Sequence, residues 1–218
     1  MIDSILLDMD GVLLDSSETH AHSYRETFES FGLSYQFEYD DFAGRSTIDV
    51  MTEVSENLRL SVDLALSMTE LKQRKVREKF LEMENVPLFP FVALGLVELS
   101  KNFKLALCTS ASNETVQTFL KSGIDGEIFT SIVTSKDVKH SKPNPDIYSK
   151  AMLEMESRPE NCLIVEDSES GIIAGIRSGA KVCCINTRTK HELISNKLGI
   201  KIMYQPTFHD FVKSMLSK

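Results

Sequence analysis

The sequence has no apolar run close to the roughly 20 residues that a helix needs to cross a lipid bilayer, so we expect no membrane-spanning segment and no membrane partner. Residues 1–4 are not a basic region followed by a long apolar stretch, so no secretory signal is expected. Internal repeats and low-complexity segments are also missing. These absences together predict a cytoplasmic protein.

Cysteine is scarce, and its positions have none of the spacings typical of metal-binding or redox sites. There is no Cys-x-x-Cys pair, and no Cys/His cluster has zinc-binding spacing. The four cysteines lie in or beside apolar runs: Cys108, Cys162, Cys183 and Cys184. We therefore expect them to be small buried side chains, with a structural disulfide or a catalytic thiol as the less favoured alternatives.

Basic residues are outnumbered, with 24 Lys and Arg against 32 Asp and Glu, which gives a net charge of −8. A nucleic-acid partner needs a basic surface, so we expect none. A local cluster of positive charge can still bind a small anionic substrate within an acidic protein. Neither Gly-x-Gly-x-x-Gly after the first apolar run nor Gly-x-x-x-x-Gly-Lys occurs, which excludes a dinucleotide-binding dehydrogenase and a P-loop enzyme at the level of motifs.

The 218 residues, 42% of them apolar, are enough for one large domain or two smaller ones. Buried strands are predicted at residues 2–7, 104–108, 131–134, 162–165, 181–185 and 201–204. Helices are predicted at residues 113–122, 145–155, 168–178, 191–197 and 209–217. Continuous apolar strands that alternate with helices are typical of a parallel sheet covered on both faces. The expected fold is therefore α/β, with a Rossmann-like parallel sheet.

Residues 16–88 have a different pattern, because they contain no convincing strand. Helices are predicted at residues 17–31, 46–57 and 61–83, and the first of them has an apolar stripe formed by His20, Tyr24, Phe28 and Phe31. We expect an all-helical domain at residues 16–88, inserted into a core domain that consists of residues 1–15 and 89–218.

Two carboxylates, Asp8 and Asp10, directly follow the first predicted strand. They would repel each other at the end of a buried strand, and one of them would be pushed to a raised pKa. A divalent cation removes this repulsion, and hard oxygen ligands suit Mg²⁺. Gly11 then allows the backbone to turn sharply. This combination predicts a reactive metal site.

Chemically active side chains also follow the other predicted strands. Thr109 and Ser110 follow the second strand, and Lys142 lies in the loop after the third. Glu166 and Asp167 follow the fourth. Each of them alone has a plainer explanation, as a helix cap or a surface residue. Because ligands bind at the carboxyl ends of strands in an open parallel sheet, we expect these groups to meet there and to carry out phosphoryl transfer.

Four segments resemble, in order and spacing, the four motifs of the haloacid dehalogenase superfamily of phosphotransferases. The first is Asp8-Met9-Asp10-Gly11-Val12, and the second centres on Thr109. The third is Ser141-Lys142-Pro143-Asn144-Pro145-Asp146, and the fourth covers residues 166–175. The segments extend over nearly the whole chain. Within the superfamily, the sequence is most similar to the β-phosphoglucomutase-like phosphatases and mutases, which carry a helical cap domain where the helical insertion is predicted here.

The resemblance implies a role for each matching residue. Asp8 would be the nucleophile and a Mg²⁺ ligand. Asp10 would be the general acid and base, and its main-chain carbonyl would also bind the metal. Thr109 and Lys142 would hold the transferring phosphoryl group, and Lys142 would also orient Asp8. Asp167 would be a further Mg²⁺ ligand.

Other residues retain alternatives. Glu166 would be either a Mg²⁺ ligand or an acid that supports the ligands. His20 resembles a histidine that follows the first motif in these enzymes, but it also fits a half-buried position on the apolar stripe. Arg45 would bind the leaving group or form a surface salt bridge, and Ser110 and Asn113 would contact the substrate. The third predicted helix has five basic residues, most of them expected to be solvated, with one able to bind a second anionic group: Lys72, Arg74, Lys75, Arg77 and Lys79.

The favoured function is Mg²⁺-dependent hydrolysis of a small phosphorylated metabolite, a sugar or polyol phosphate, through an aspartyl-phosphate intermediate, by a monomer or weak dimer. The alternative is a sugar-phosphate mutase; Thr47 lies roughly where the mutases carry an arginine, which argues against it. Asp10 argues against carbon–halogen cleavage, since those enzymes lack the second acid of the first motif. A catalytically inactive phosphate-binding protein is the remote alternative, because all the motif residues are present.

Overall fold

The computed structural model describes residues 1–83, 86–185 and 191–217. Within these residues, six strands form one parallel sheet in the order β3-β2-β1-β4-β5-β6. The strands are β1 (Ser4–Leu7), β2 (Lys104–Cys108), β3 (Ser131–Val133), β4 (Cys162–Glu166), β5 (Lys181–Ile185) and β6 (Met203–Gln205). All the predicted strands are present, and their ends are within a few residues of the predicted ones.

Helices connect the strands and also fill the long segment after β1. They are α1 (Ser17–Ser30), α2 (Thr47–Asn57), α3 (Val62–Glu82), α4 (Val92–Ser100), α5 (Asn113–Leu120), α6 (Asp146–Glu154), α7 (Glu169–Arg177), α8 (His191–Leu198) and α9 (Phe208–Leu216). The predicted α/β Rossmann-like fold is confirmed. In the described parts of the chain, no helix has both the length and the apolar character needed to span a bilayer.

Helix α4 was not predicted from the sequence. The residue before it, Phe91, has a φ of 71° in the left-handed region, and its side chain provides no cap, so the usual start signal is missing. The helix is stabilised instead by packing, because Val92, Gly95, Leu96 and Leu99 are all buried. Burial of this apolar face therefore stabilises the helix, and a local cap does not.

The sheet has an apolar core on each face. Alternate residues of β1 belong to different clusters, with Ile5 and Leu7 in one and Leu6 in the other, as the alternation of side chains along a strand requires. Helices α4 and α9 pack on the first face, and α6 and α7 pack on the second. All four cysteines are buried and free, as expected from the sequence.

Helices α1, α2 and α3 form a separate apolar cluster of their own. Its buried members are Tyr24, Phe28, Phe42, Val50, Met51, Val54, Ala65 and Met68. The two segments that join these helices to the sheet run side by side, since Leu14 and Leu88 form an antiparallel bridge. The amide of Asp15 donates to the carbonyl of Pro87 at 2.8 Å. The predicted domain boundaries lie beside these two linkers.

Candidate active site

The carboxyl edge of the sheet brings the predicted motif residues together. Strand β1 lies between β2 and β4, so Asp8 at its end is placed beside Thr109 on one side and Glu166 on the other. The amide of Asp8 donates to the carbonyl of Val165 at 3.1 Å, which extends the ladder with β4 to this residue. Both Asp8 and Thr109 are buried. The site therefore begins where the strand pairing ends.

Lys142 reaches this edge from the loop that precedes α6, and its side chain is fully buried. Its Nζ donates to Oδ1 of Asp8 at 2.6 Å, to Oε1 of Glu166 at 2.7 Å and to the carbonyl of Cys108 at 3.3 Å. Burial acts to lower the pKa of Lys142, but the two carboxylates raise it above its ordinary value. Lys142 is therefore a fixed positive charge that binds both acids.

Glu166 has no exposed surface and is surrounded by donors. Its Oε1 also accepts a hydrogen bond from the hydroxyl of Tyr148. Its Oε2 accepts from the amide of Asp167 at 3.0 Å and from the amide and hydroxyl of Ser168. Gly171 leaves the room that this carboxylate needs, because a Cβ there would lie 1.8 Å from Oε1. Both oxygens of Glu166 are therefore engaged by the protein, an arrangement typical of an acid that positions its neighbours.

Three acids could hold a cation at this edge. Among the described residues, Asp8, Glu166 and Asp167 each place a carboxylate oxygen within 4.8 Å of the others. Gly11, with φ of 81°, allows Asp167 to approach, because a Cβ at Gly11 would lie 2.0 Å from its Oδ2. Burial raises the pKa of Asp8 to about 8; Lys142 opposes this rise, and the charges of Glu166 and Asp10 add to it. A hard-oxygen donor set with excess negative charge fits a divalent cation such as Mg²⁺.

Asp10 turns away from the sheet and towards α1. Its Oδ1 accepts a hydrogen bond from the hydroxyl of Ser16 at 2.6 Å and lies 3.1 Å from Nε2 of His20. Burial acts to raise the pKa of Asp10, but His20, the Ser16 hydroxyl and Lys72 together lower it below its ordinary value. The predicted general acid is therefore held by residues of the helical insertion.

Lys72 of α3 is a buried member of this group that sequence analysis did not single out. Its Nζ lies 2.7 Å from Nδ1 of His20 and 4.4 Å from the ring centroid of Tyr24. Burial lowers its pKa to about 7, although Asp10 acts to raise it. The sequence did contain a signal, since Lys72 lies four residues from both Met68 and Val76 and interrupts the buried stripe of α3. None of the other basic residues of α3 is buried.

A loop before α2 docks on the core beside the site. The carbonyl of Gly44 accepts from the hydroxyl of Ser110 at 2.9 Å, and the carbonyl of Ala43 accepts from that of Ser170 at 3.1 Å. Gly44 has φ of 73°, and a Cβ there would lie 2.0 Å from Oγ of Ser168. Glycine is therefore the residue that fits where this loop approaches the core.

The remaining predicted residues are placed differently. Ser110 lines a cavity of about 250 Å³ between α2, α3 and the core. The Nη2 of Arg45 lies 2.5 Å from Glu53 of α2, so the salt-bridge alternative is the one present in this structure. Asn113 is exposed in the first turn of α5, and no described contact joins it to Asp8 or Lys142. Substrate contacts of Arg45 and Asn113 stay predictions.

Hydroxyl groups line part of the cavity next to Ser110. Six of the twelve residues that line it carry hydroxyl groups: Ser46, Thr47, Ser110, Ser112, Ser135 and Ser141. The hydroxyl of Ser141 donates to the carboxylate of Asp49 in α2, which joins the residue before Lys142 to the helical insertion. Ser110 follows Thr109 and Ser141 precedes Lys142 in the sequence, so this cavity lies next to two of the motif residues.

The four motifs and their geometry agree with what known proteins show. The sequence profile of the haloacid dehalogenase-like hydrolases matches residues 5–185. The chain belongs to this family. The match includes all four motifs and most of the sheet, and it confirms both the predicted superfamily and the predicted class of enzyme, a hydrolase of the phosphatase type.

Three individual proteins resemble this chain, at sequence identities between 20% and 28%. Pyrophosphatase PpaX of Oceanobacillus iheyensis is 28% identical over 187 residues, which are 84% of this chain and 83% of that protein. A hydrolase from Pseudomonas syringae superposes with a TM-score of 0.84 over 98% of this chain and 97% of its own, at 20% identity, and shows the shared fold. CbbY from Rhodobacter sphaeroides, solved in complex with phosphate, superposes with a TM-score of 0.80 over 97% and 96%, at 25% identity.

Proposed function

We propose that this chain hydrolyses a small phosphorylated metabolite, a sugar or polyol phosphate, with Mg²⁺ and through an aspartyl-phosphate intermediate. The observation that carries the proposal is the buried contact of Lys142 with Asp8, at 2.6 Å. It fixes one carboxylate oxygen of Asp8 and supplies a positive charge next to the place where a phosphoryl group would arrive. The phosphate bound by CbbY, a relative with the same fold, supports this assignment.

The proposed reaction has two steps that use the same two aspartates. An oxygen of Asp8 attacks phosphorus, the bond to the leaving oxygen breaks, and Asp10 gives its proton to that oxygen. A water molecule then attacks phosphorus, Asp10 takes the proton of this water, and phosphate leaves Asp8. Asp10 needs a proton for the first step, and the negative charge of an arriving phosphate favours protonation of its carboxyl group.

The donor set fits a Mg²⁺ ion, which when bound would neutralise charge on Asp8 and on the phosphate oxygens. We propose that Asp8, Asp167 and the main-chain carbonyl of Asp10 hold it. We assign Glu166 to a supporting position, because both of its oxygens already accept hydrogen bonds from the protein. Thr109 is proposed to donate its hydroxyl to the phosphoryl group; that hydroxyl accepts from the amide of Ala111 at 3.0 Å, which orients it.

We propose that α1, α2 and α3 act as a cap that excludes bulk water and selects the leaving group. The contacts of Gly44 and Ala43 with the core support this role. The hydroxyl-lined cavity beside Ser110 supports a leaving group that itself bears hydroxyl groups. A location in the cytoplasm and a monomeric or weakly dimeric state stay predictions from the sequence.

Two alternatives share the same first step. A mutase would transfer the phosphoryl group to a second sugar hydroxyl. Thr47 lies in the cavity wall, roughly where the mutases carry an arginine, and this difference argues against a mutase. Pyrophosphate is the second candidate substrate, because the relatives at 28% identity are pyrophosphatases.

Phosphate release from a panel of compounds, with Mg²⁺ and with EDTA, tests the proposal. The panel contains p-nitrophenyl phosphate, sugar and polyol monophosphates, β-glucose 1-phosphate and pyrophosphate. We expect Mg²⁺-dependent release that is fastest from a hydroxyl-bearing ester. Glucose 6-phosphate formed without free phosphate would favour the mutase. Rapid release from pyrophosphate alone would favour the pyrophosphatase, and no release from any compound would overturn the proposal.

A further inference from the structure

Tyr148 is a fully buried residue of α6 to which the proposed reaction gives no role. Its amide donates to the carbonyl of Pro145 at 3.0 Å, so the residue is fixed in the first turn of the helix. Lys142 lies six residues earlier, in the loop that leads into α6. The same stretch of chain therefore brings both Lys142 and Tyr148 to the carboxyl end of β4, where Glu166 lies.

The hydroxyl of Tyr148 and the Nζ of Lys142 donate to the same atom, Oε1 of Glu166. The amide of Asp167 and the amide and hydroxyl of Ser168 donate to the other oxygen, Oε2. The positive end of the O–H dipole partly offsets the negative charge on Oε1, so this oxygen attracts the ammonium group less strongly. Tyr148 therefore weakens the hold of Glu166 on Lys142.

The phenol keeps the proton that this contact needs. Burial and the negative charge of Glu166 both raise the pKa of Tyr148 well above its ordinary value. The ring of Tyr148 also contacts the lysine, because Nζ of Lys142 lies 5.1 Å from the ring centroid, within the range of a cation–π interaction. Tyr148 therefore acts on Lys142 twice, through its ring and through a shared acceptor.

Lys142 is divided between two acids. Its ammonium group has three protons to donate, and it contacts Asp8 at 2.6 Å, Glu166 at 2.7 Å and the carbonyl of Cys108 at 3.3 Å. The first two distances are nearly equal, so the two carboxylates compete for one positive charge. Any group that reduces the attraction of Glu166 leaves more of this charge for Asp8 and for a phosphoryl group beside it.

We propose that Tyr148 is a positioning residue, whose hydroxyl holds Oε1 of Glu166 so that Lys142 remains available to Asp8 and to the phosphoryl group. The proposal rests on the proposed phosphatase function, in which Lys142 binds that group. Tyr148 acts through Glu166 and Lys142, and no contact with the substrate is assigned to it.

The Tyr148→Phe variant tests this role, because it keeps the buried ring and removes only the hydroxyl. We expect the dissociation constant of inorganic phosphate, measured by calorimetry in the presence of Mg²⁺, to increase about tenfold. The kcat/KM for p-nitrophenyl phosphate should decrease by a similar factor. A residue that serves only the packing of α6 would lower the melting temperature and leave the dissociation constant unchanged.

Two control variants separate the contact with Glu166 from general damage. Met152→Ala removes a buried side chain one turn after Tyr148, from the same helix and the same apolar cluster. It should lower the melting temperature more than Tyr148→Phe does, yet keep the wild-type affinity for phosphate. Tyr35→Phe removes a tyrosine hydroxyl from the cluster of the helical insertion, where the ring packs on Phe28, and should also keep this affinity.

The failure of each proposal is separately visible. Wild-type affinity for phosphate and wild-type kcat/KM in Tyr148→Phe would overturn the role of Tyr148. An equal loss of affinity in Met152→Ala would overturn it too, since the packing of α6 would then be the cause. A wild-type protein that hydrolyses no phosphate ester in the presence of Mg²⁺ would instead overturn the phosphatase function.

Discussion

The Nζ of Lys72 lies 2.7 Å from Nδ1 of His20, and Nε2 of the same ring lies 3.1 Å from Oδ1 of Asp10. The imidazole therefore joins a lysine of α3 to the acid that follows β1. Burial lowers the pKa of His20, and Lys72 lowers it further, while Asp10 acts to raise it. The contact makes the position and charge of Asp10 depend on the packing of the helical insertion.

Replacing Lys72 by Met is expected to lower kcat/KM by about tenfold, which corresponds to ~1.4 kcal/mol. The reason is that His20 and Asp10 lose the cation that orients them, while the methionine fills the buried space. Initial rates with p-nitrophenyl phosphate measure the effect. Lys75→Met on the same helix, where Lys75 pairs with Glu26, should retain wild-type kcat/KM. An equal loss in both variants would mean that the helix, and not the contact with His20, is responsible.

Lys72 should also make stability depend on pH. Its pKa is lowered by burial from 10.5 to about 7, so between these values the unfolded chain binds a proton that the folded chain releases. The free energy of unfolding of the wild type should therefore rise with pH through this window relative to that of Lys72→Met. The stability advantage of the variant should be largest below about pH 7 and disappear above about pH 10. Urea unfolding at several pH values measures it; a pH-independent difference would contradict this assignment.

Asp8→Asn is expected to reduce turnover by roughly 10⁴-fold or more, because an amide oxygen is a poor nucleophile towards phosphorus. The fold should persist, since Lys142 keeps its hydrogen bond to Glu166 at 2.7 Å. Steady-state rates and circular dichroism measure the two effects. Asp63→Asn in the first turn of α3 is a surface control that should retain activity. Full turnover in Asp8→Asn, in a preparation free of wild-type enzyme, would exclude Asp8 as the nucleophile.

Lys142→Met is expected to destabilise the protein by about 3–5 kcal/mol, because it leaves the carboxylates of Asp8 and Glu166 buried together without a cation. The double variant Lys142→Met/Glu166→Gln should recover part of this loss, since only one buried charge then remains, but it should stay inactive. Denaturant unfolding in EDTA measures the difference. A Lys142→Met protein as stable as the wild type would show that the buried contact contributes nothing to folding.

Gly44→Ala should impair the docking of the loop at residues 43–46, because the added Cβ would meet Ser168 at 2.0 Å. Gly32→Ala is a matched control: Gly32 has φ of 67°, close to the 73° of Gly44, but a Cβ there meets nothing within 4 Å. Both changes introduce similar backbone strain of roughly 1–2 kcal/mol. Only Gly44→Ala should lower kcat/KM, by about tenfold. Equal kinetics in the two variants would mean that this loop need not contact the core.

The sheet could be predicted from the sequence because its strands are buried on both faces and therefore appear as continuous apolar runs. The helices were predicted where they have caps and amphipathic periodicity, such as α2, which begins after Ser46, whose side chain accepts a hydrogen bond from the amide of Asp49. Helix α4 has neither signal, since Phe91 before it has a left-handed conformation and the helix is held by packing. Local patterns contain no information about that packing.

The same limit applies to the site. Asp8, Thr109, Lys142 and Glu166 could be placed together because parallel strands bring their carboxyl ends to one edge. The spacing of Lys72 from Met68 and Val76 indicates a position on the buried stripe of α3, but its contact with His20 depends on how α3 packs against α1. Arg45 was given two alternatives because the sequence contains no evidence of its distance from Glu53. Site residues at strand ends can be predicted from one sequence, whereas contacts that depend on how helices pack cannot.

The bridge between Leu14 and Leu88 has a consequence for how such a chain can evolve. The helical insertion leaves the core and returns to it at the same place. For the core it is therefore a loop whose two ends already lie together. The entropy of closing such a loop grows only slowly with its length. The insertion can therefore be lengthened, shortened or exchanged over generations, while the strand ends that carry Asp8 and Glu166 keep their places.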